Sequence, residues 1–172
     1  MKTPVNVKER PFPAPLARKR GSAFASYRAA RFGEILVPTD FSLRSDHAIN
    51  YAIELAKQLG SHLTLLHVVP APYAIDYTLG GIPNGEWEKV RHRADQKLDA
   101  VLQRTKIRYE SVDSLVRIGS DLHEEIVGAA REVYADLVVL STHGYKGWKH
   151  LLFGSDTDNL LYEIPCPVMV TQ

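Results

Sequence analysis

The stretch that decides the fold spans residues 137–157 and reads Leu137-Val-Val-Leu-Ser-Thr-His-Gly-Tyr-Lys-Gly-Trp-Lys-His-Leu-Leu-Phe-Gly-Ser-Asp-Thr157. Its four leading apolar residues are typical of a strand buried on both faces of a sheet. A small polar turn follows at 141–144, and a second turn at 154–157 precedes an apolar-periodic segment. In an open parallel α/β sheet both turns lie at the edge where ligands bind. Glycines let a phosphate approach the backbone, and free N–H groups at a helix start attract anions.

Outward from this stretch, short apolar runs alternate with amphipathic segments along the chain. Strands are predicted at 34–40, 63–69, 112–118, 137–140 and 168–171, and helices at 42–59, 85–104, 121–134 and 155–162. Alternation of this kind argues a parallel sheet with helices on both faces. Within these elements, His67 is predicted to be a satisfied core residue, and Cys166 to pack at the start of the last strand.

Composition sets the class of protein. The chain has 172 residues, of which 45% are hydrophobic, enough for one domain with a sizeable core. No apolar run approaches the ~18 residues of a membrane span, so no membrane partner is expected. No secretory signal is predicted in the first residues, because prolines and arginines interrupt them. A single cysteine, Cys166, excludes an intrachain disulfide framework. It fits a reducing compartment, so a cytoplasmic location is expected.

Charge divides the chain into two parts. Residues 1–32 carry eight basic residues and one acidic residue, whereas the rest carries 13 basic and 19 acidic residues. Four prolines also break any helix before Leu16. We therefore predict a poorly ordered basic extension at 1–32 and a folded domain at 33–172. A solvated tail, a transit peptide and a contact with an anionic surface all remain open for the extension. Nucleic acid binding is not expected.

Five short motifs resemble those of the universal stress protein family, over about residues 33–172. They are Ile35-Leu36-Val37-Pro38-Thr39-Asp40-Phe41-Ser42, Leu65-Leu66-His67-Val68, Ala135-Asp136-Leu137-Val138-Val139, Ser141-Thr142-His143-Gly144 with nine residues before Gly154-Ser155, and Pro165-Cys166-Pro167-Val168. The resemblance implies a flavodoxin-like, Rossmann-like open parallel sheet of five strands in the order 3-2-1-4-5. It also implies a homodimer that pairs through the last strand, Val168 to Thr171.

The resemblance further implies a site for ATP, with Mg²⁺ as an optional companion. Members that bind ATP are similar in carrying Gly-x-x-Gly, nine residues, then Gly-Ser or Gly-Thr. Here Ser141 stands at the first glycine, and Gly144, Gly154 and Ser155 match the rest. By position, Asp40 would contact the adenine beside Pro38 and Thr39, and the Val68 backbone would meet the base. Ser141 and Gly144 would border the ribose and phosphates, and the phosphates would be cradled by Gly154, Ser155, Asp156 and Thr157. His143 also belongs to the predicted site, where it could orient the loop or titrate near neutrality.

Three of these residues leave alternatives open on chemical grounds. Asp40 suits either a ligand contact or the N-terminal cap of the helix near Ser42. Ser141 would weaken binding if the position needs positive φ, but it adds a hydroxyl donor if only a small side chain is needed. The carboxylate of Asp156 repels phosphates, yet it is favourable at a helix start and could share Mg²⁺.

The sequence predicts a regulatory adenine-nucleotide-binding protein of the stress response that acts as a dimeric switch. It contains neither a Walker phosphate loop nor a nucleophile elbow, so no catalytic residue is predicted. It also shows no Cys/His spacing for zinc. Two alternatives remain: a dimeric interaction protein without bound nucleotide, and a slow ATP hydrolase.

Overall fold

The computed structural model describes residues 32–71, 86–141 and 163–171. The strands are β1 (Glu34–Pro38), β2 (His62–Pro70), β3 (Val112–Gly119), β4 (Leu137–Ser141) and β5 (Val168–Thr171). The helices among these residues are α1 (Leu43–Leu59), α2 (Glu86–Lys106) and α3 (Leu122–Glu132). The helix predicted at 155–162 lies outside the described residues.

The five strands form one parallel sheet in the order β3-β2-β1-β4-β5. This confirms the α/β class and the 3-2-1-4-5 order that the resemblance implied. The chain builds outward from β1 to β3 and then returns to place β4 on the other side of β1. That reversal opens a crevice between the carboxyl ends of β1 and β4, which is where open α/β sheets bind ligands.

Two apolar clusters cover the two faces of the sheet. On one face α1 and α2 pack over side chains such as Ile35, Leu63 and Val139. On the other face α3 packs over Leu36, Leu66 and Leu140. Alternate residues of β1, β2 and β4 point to opposite clusters because successive strand side chains face opposite ways. The central strands are therefore buried on both sides, as their continuous apolar runs predicted.

Several element ends differ from the predictions by one or two residues. The apolar run of β1 ends at Pro38, as predicted, and Asp40 lies beyond the strand in the turn that begins at Thr39. α2 continues for two residues beyond the predicted Arg104, to Lys106. α3 ends at Glu132 instead of Tyr134, because Tyr134 adopts a left-handed conformation with φ of 54°. None of these differences moves a strand in the sheet.

Candidate functional site

The carboxyl ends of β1, β2 and β4 meet at one edge of the sheet. Pro38 lies opposite Leu66 of β2, and Leu36 lies opposite Val138 of β4. Continued to the strand ends, these registers place Thr39 beside both His67 and Ser141. The residues predicted at 38–40, 68 and 141 are therefore brought to one edge, although they are far apart in sequence.

Thr39 forms the base of the turn that leaves β1. It is fully buried, its backbone N–H donates to the Leu66 carbonyl at 2.7 Å, and its hydroxyl donates to the Ser45 hydroxyl at 3.0 Å. The same hydroxyl accepts from the Phe41 N–H at 3.1 Å. The Thr39 side chain thus ties the turn to α1, so that a ligand could reach this residue only through its backbone.

Asp40 stands in the middle of this turn and is half-buried. Its Oδ1 accepts from the Ser42 N–H at 3.0 Å. The helix cap itself is Ser42, whose hydroxyl accepts from the Ser45 N–H at 3.2 Å. The alternative that Asp40 caps α1 directly is therefore wrong. Asp40 instead orients the capping residue, as Asp side chains do in Asx turns.

His67 is a site residue that the sequence reading missed. Its ring Nδ1 lies 2.8 Å from the Thr39 carbonyl, which can only accept, so Nδ1 carries the proton. Its ring also lies against the Phe41 ring, with 4.2 Å between centroids. The pattern of β2 alone carried no signal for this contact, because it depends on the register that sets His67 beside Thr39. The prediction treated the histidine as a core residue of its own strand only.

Phe41 is held in an unusual backbone conformation, with φ of 64°. A non-glycine residue in the left-handed region costs about 1–2 kcal/mol. The Thr39 hydroxyl, the His67 ring and the Lys97 ammonium, 5.8 Å from the Phe41 ring centroid, all contact it. These contacts offset the strain and fix the direction in which the turn leaves β1.

The electrostatics around His67 favour a neutral ring. Burial lowers its pKa below the ordinary value, and the nearby charge of Lys97 lowers it further. The hydrogen bond to Thr39 and the Asp40 carboxylate oppose this shift, but the net direction is downward. The ring therefore acts at neutral pH as an uncharged donor through Nδ1.

Ser141 closes β4 at the same edge. The residue is 2% exposed, and its hydroxyl has no hydrogen-bond partner among the described residues. By alternation its side chain lies on the face of Val139, towards α1. Leaving a buried hydroxyl unsatisfied costs about 1–3 kcal/mol. A group that supplies a hydrogen bond to Ser141 is therefore favoured at this position.

Val68 contributes no side chain to the edge. That side chain is buried in the cluster on the α3 face. Pro38, as the last residue of β1, is also buried. Of the remaining predicted residues, His143, Gly144, Gly154, Ser155, Asp156 and Thr157 lie outside the described residues.

Two other features of the described residues do not form a ligand site. A cleft of about 250 Å³ lies between α1 and α2. Arg104 and Arg108, which line it, are paired with Asp46 at 2.7 Å and Glu54 at 3.2 Å. Burial and the Asp136 charge raise the pKa of the Cys166 thiol, which disfavours a reactive thiolate. Within 32–71, 86–141 and 163–171, no cluster of three His, Cys, Asp or Glu could hold a metal ion.

The helices of the described ranges lack the combination of length and hydropathy that a membrane span requires. None of them has a sufficiently long apolar stretch to span a bilayer. The longest described helix, α2, carries charged residues throughout its length.

Comparison with known proteins gives a consistent result. The profile of the universal stress protein family matches residues 31–172. The universal stress protein MJ0531 of Methanocaldococcus jannaschii is 29% identical over 148 residues, covering 82% of each chain. Among solved structures, universal stress protein UspA from Lactobacillus plantarum matches with a TM-score of 0.61 and 26% identity, covering 83% of this chain and 99% of that one.

Two further solved structures share the fold. A universal stress protein in complex with cAMP matches with a TM-score of 0.57, over 83% of this chain and 98% of that one. The universal stress protein from Archaeoglobus fulgidus in complex with dAMP matches with a TM-score of 0.59, over 83% and 99%. Each is 18% identical to this chain, so the likeness is one of fold.

Proposed function

The chain belongs to the universal stress protein family, and from that premise we propose that it binds an adenine nucleotide between the carboxyl ends of β1 and β4. One observation carries the proposal. Ser141, at the end of β4, keeps a buried hydroxyl without a partner among the described residues. It is adjacent, by register, to the turn that holds the Asp40 carboxylate. A nucleotide in the crevice would supply the missing hydrogen bond.

Asp40 and Ser141 suit different parts of such a ligand. Each oxygen of a carboxylate can accept more than one hydrogen bond, so Asp40 would accept from the adenine amino group or from a ribose hydroxyl while still holding Ser42. The Ser141 hydroxyl would border the ribose and phosphates. Proteins of this fold are known in complex with cAMP and dAMP, which supports an adenine nucleotide as the ligand class.

ATP is the nucleotide that we propose. Backbone N–H groups at Gly144, Gly154 and Ser155 would hold its phosphates, since helix starts and glycine turns favour anions. Thr157 and His143 would flank them, and Mg²⁺ would let the Asp156 carboxylate approach the phosphates without repulsion. Occupancy would bias segment 142–153 and through it a partner surface, so that the protein acts as a regulatory switch.

The test begins with the wild-type protein purified without added nucleotide. Denaturation followed by chromatography and mass spectrometry identifies what is released, and calorimetry then gives Kd for ATP, ADP and AMP. We expect an adenine nucleotide in the released fraction or a measurable Kd for ATP. An empty protein that gains no thermal stability from millimolar ATP and Mg²⁺ would contradict the proposal.

Two variants examine the residues that carry it. Asp40→Asn keeps an oxygen for Ser42 but removes the charge, so ATP affinity should fall about 10- to 100-fold. Ser141→Ala should lower affinity about fivefold without reducing the stability of the nucleotide-free protein. Asp46→Asn is the matched control, because Asp46 lies on α1 and pairs with Arg104. Loss of stability in Ser141→Ala would instead mean that a protein group satisfies the hydroxyl.

A homodimer is the second part of the proposal. β5 is an edge strand of only four residues, and it exposes Met169 and Val170 by 39% and 47%. Exposed apolar edge strands favour association with another chain. The same observation supports the other candidate function, a dimeric interaction protein without nucleotide. The nucleotide measurements above separate the two.

A further inference from the structure

The hydrogen-bond ladder between β1 and β2 ends in an unusual way. The register stops at Pro38 opposite Leu66, and the Thr39 N–H donates to the Leu66 carbonyl at 2.7 Å. In a parallel ladder the next bond would run from the Val68 N–H to the Thr39 carbonyl. Here that carbonyl accepts from the His67 ring at 2.8 Å. Among the described residues the Val68 N–H makes no bond to that carbonyl, so the ring of His67 takes the place of the backbone donor of Val68.

The alternation of backbone groups along β2 determines which way the N–H and C=O of Val68 point. Backbone groups of successive strand residues face opposite neighbours, and those of Leu66 face β1 because its carbonyl accepts from Thr39. The N–H and C=O of Val68 therefore face the same side, beyond the end of β1. Asp40 would stand opposite Val68 if the register continued, but β1 ends at Pro38 and Asp40 lies in the turn, where its Oδ1 accepts from the Ser42 N–H.

The family resemblance already sets the Val68 backbone against the base; we propose that His67 is the residue that makes this possible, because by donating to the Thr39 carbonyl it ends the ladder one bond early and leaves the Val68 backbone unpaired with β1. This inference rests on the proposed nucleotide site. An N–H and a C=O of one residue present a donor beside an acceptor. The edge of adenine that carries its amino group presents the complementary pair, a donor and a ring-nitrogen acceptor. His67 is thus a positioning residue, and it need not touch the ligand.

The surroundings of His67 hold the ring in place for this role. The Phe41 ring stacks on it at 4.2 Å between centroids, and Lys97 lies over Phe41. The left-handed Phe41 turn directs the chain away from β2, so that no β1 residue follows Thr39 in the ladder. The same four residues, Thr39, Phe41, His67 and Lys97, therefore set both the early end of the ladder and the direction of the turn.

Two substitutions separate the hydrogen bond that the His67 ring donates from the packing of that ring against Phe41. His67→Phe keeps a ring against Phe41 but removes the donor. His67→Asn keeps a donor at the position of Nδ1 but removes the ring. His62→Phe is the matched control, because His62 begins the same strand and contacts Ser111 at 2.9 Å and Asp113 at 3.2 Å, away from the site.

Amide hydrogen exchange measured by NMR gives a readout that does not require a ligand. In the nucleotide-free wild type, the Val68 amide should exchange about tenfold faster than the Leu66 amide. His67→Phe should slow exchange of the Val68 amide, because the ladder can then extend to Val68. His67→Asn and His62→Phe should keep the wild-type difference in exchange rate between Val68 and Leu66. Two outcomes would overturn the proposal that His67 leaves the Val68 backbone unpaired. One is a wild-type Val68 amide that exchanges as slowly as that of Leu66, and the other is a Val68 exchange rate that His67→Phe does not change.

Titration with AMP then tests the base contact. We expect AMP to slow Val68 exchange in the wild type, and His67→Phe to weaken AMP binding about five- to tenfold while His67→Asn binds normally. Equal AMP affinity in the wild type and His67→Phe would overturn the positioning role. A wild type that keeps the exchange contrast but binds no adenine nucleotide would support ladder release and contradict the base contact and the proposed function.

Discussion

At the scale of single residues, His67 links the site to pH. Its pKa is lowered from the ordinary value of 6.5, first by burial and then by the Lys97 charge, while Thr39 and Asp40 oppose the shift. The unfolded chain therefore binds a proton more readily than the folded one. The stabilising contribution is complete above the unfolded pKa, and it is lost as the pH falls from 6.5 towards the folded pKa.

We therefore expect the wild type to lose more unfolding free energy than His67→Asn when the pH is lowered from about 7.5 to about 5.5. Urea unfolding at the two pH values measures this difference directly. His92→Gln is the control, because His92 lies exposed on α2 and bonds to Gln96. An equal loss in the wild type and His67→Asn would show that His67 is not coupled to folding.

At the scale of elements, α1 and α3 are each followed by a residue in the left-handed conformation, but the residue types differ. α1 ends at Gly60, with φ of 69°, and no atom lies within 4 Å of the place where a Cβ would stand. α3 ends at Glu132, and the chain then turns at Tyr134, with φ of 54°, where the Tyr134 N–H donates to the Arg131 carbonyl and the Ala135 N–H donates to the Ala130 carbonyl. These two bonds form a Schellman motif, whose left-handed position favours glycine.

A glycine placed at position 134 and an alanine placed at position 60 should therefore change the unfolding free energy in opposite directions. Tyr134 is 70% exposed, so Tyr134→Gly relieves backbone strain with little loss of packing and should raise the unfolding free energy by about 0.5 kcal/mol. Gly60→Ala should lower it by about 1 kcal/mol, since strain is its main effect. Thermal and urea unfolding measure both. A less stable Tyr134→Gly would mean that contacts of the tyrosine outweigh its strain.

The same elements show what the sequence could and could not predict. Gly60 was predictable as a helix end because glycine is the residue that adopts this conformation without strain. The end of α3 at Glu132, two residues before the predicted end, was not, since the left-handed residue that follows is a tyrosine, which carries no such signal. His67 illustrates the limit at the site: its ring bonds a carbonyl 28 positions away in the chain. A single strand's pattern cannot reveal such a bond without the neighbouring register.

At the scale of the whole molecule, the two edges of the sheet are unequal. β3 forms one edge and bears Asp113 and Arg117. Arg117 is paired with Glu125 at 2.5 Å and Glu132 at 2.6 Å, which ties this edge to α3. β5 forms the other edge, and its exposed residues Met169 and Val170 are apolar. Charged residues on an edge strand oppose pairing with another chain. We therefore expect association through β5 and not through β3.

A matched pair of substitutions tests this choice of edge. Val170→Lys places a charge on β5, where Val170 is 47% exposed, and should convert a dimer to a monomer. Ile118→Lys places the same charge on β3, where Ile118 is 37% exposed, and should leave the dimer intact. Analytical ultracentrifugation with and without ATP measures both. A monomeric wild type would contradict the dimer, and dissociation by Ile118→Lys alone would move the interface to β3. Because the Ser141 and Thr171 strand ends lie side by side, a β5 interface would adjoin the crevice and give nucleotide occupancy a direct route to the partner chain.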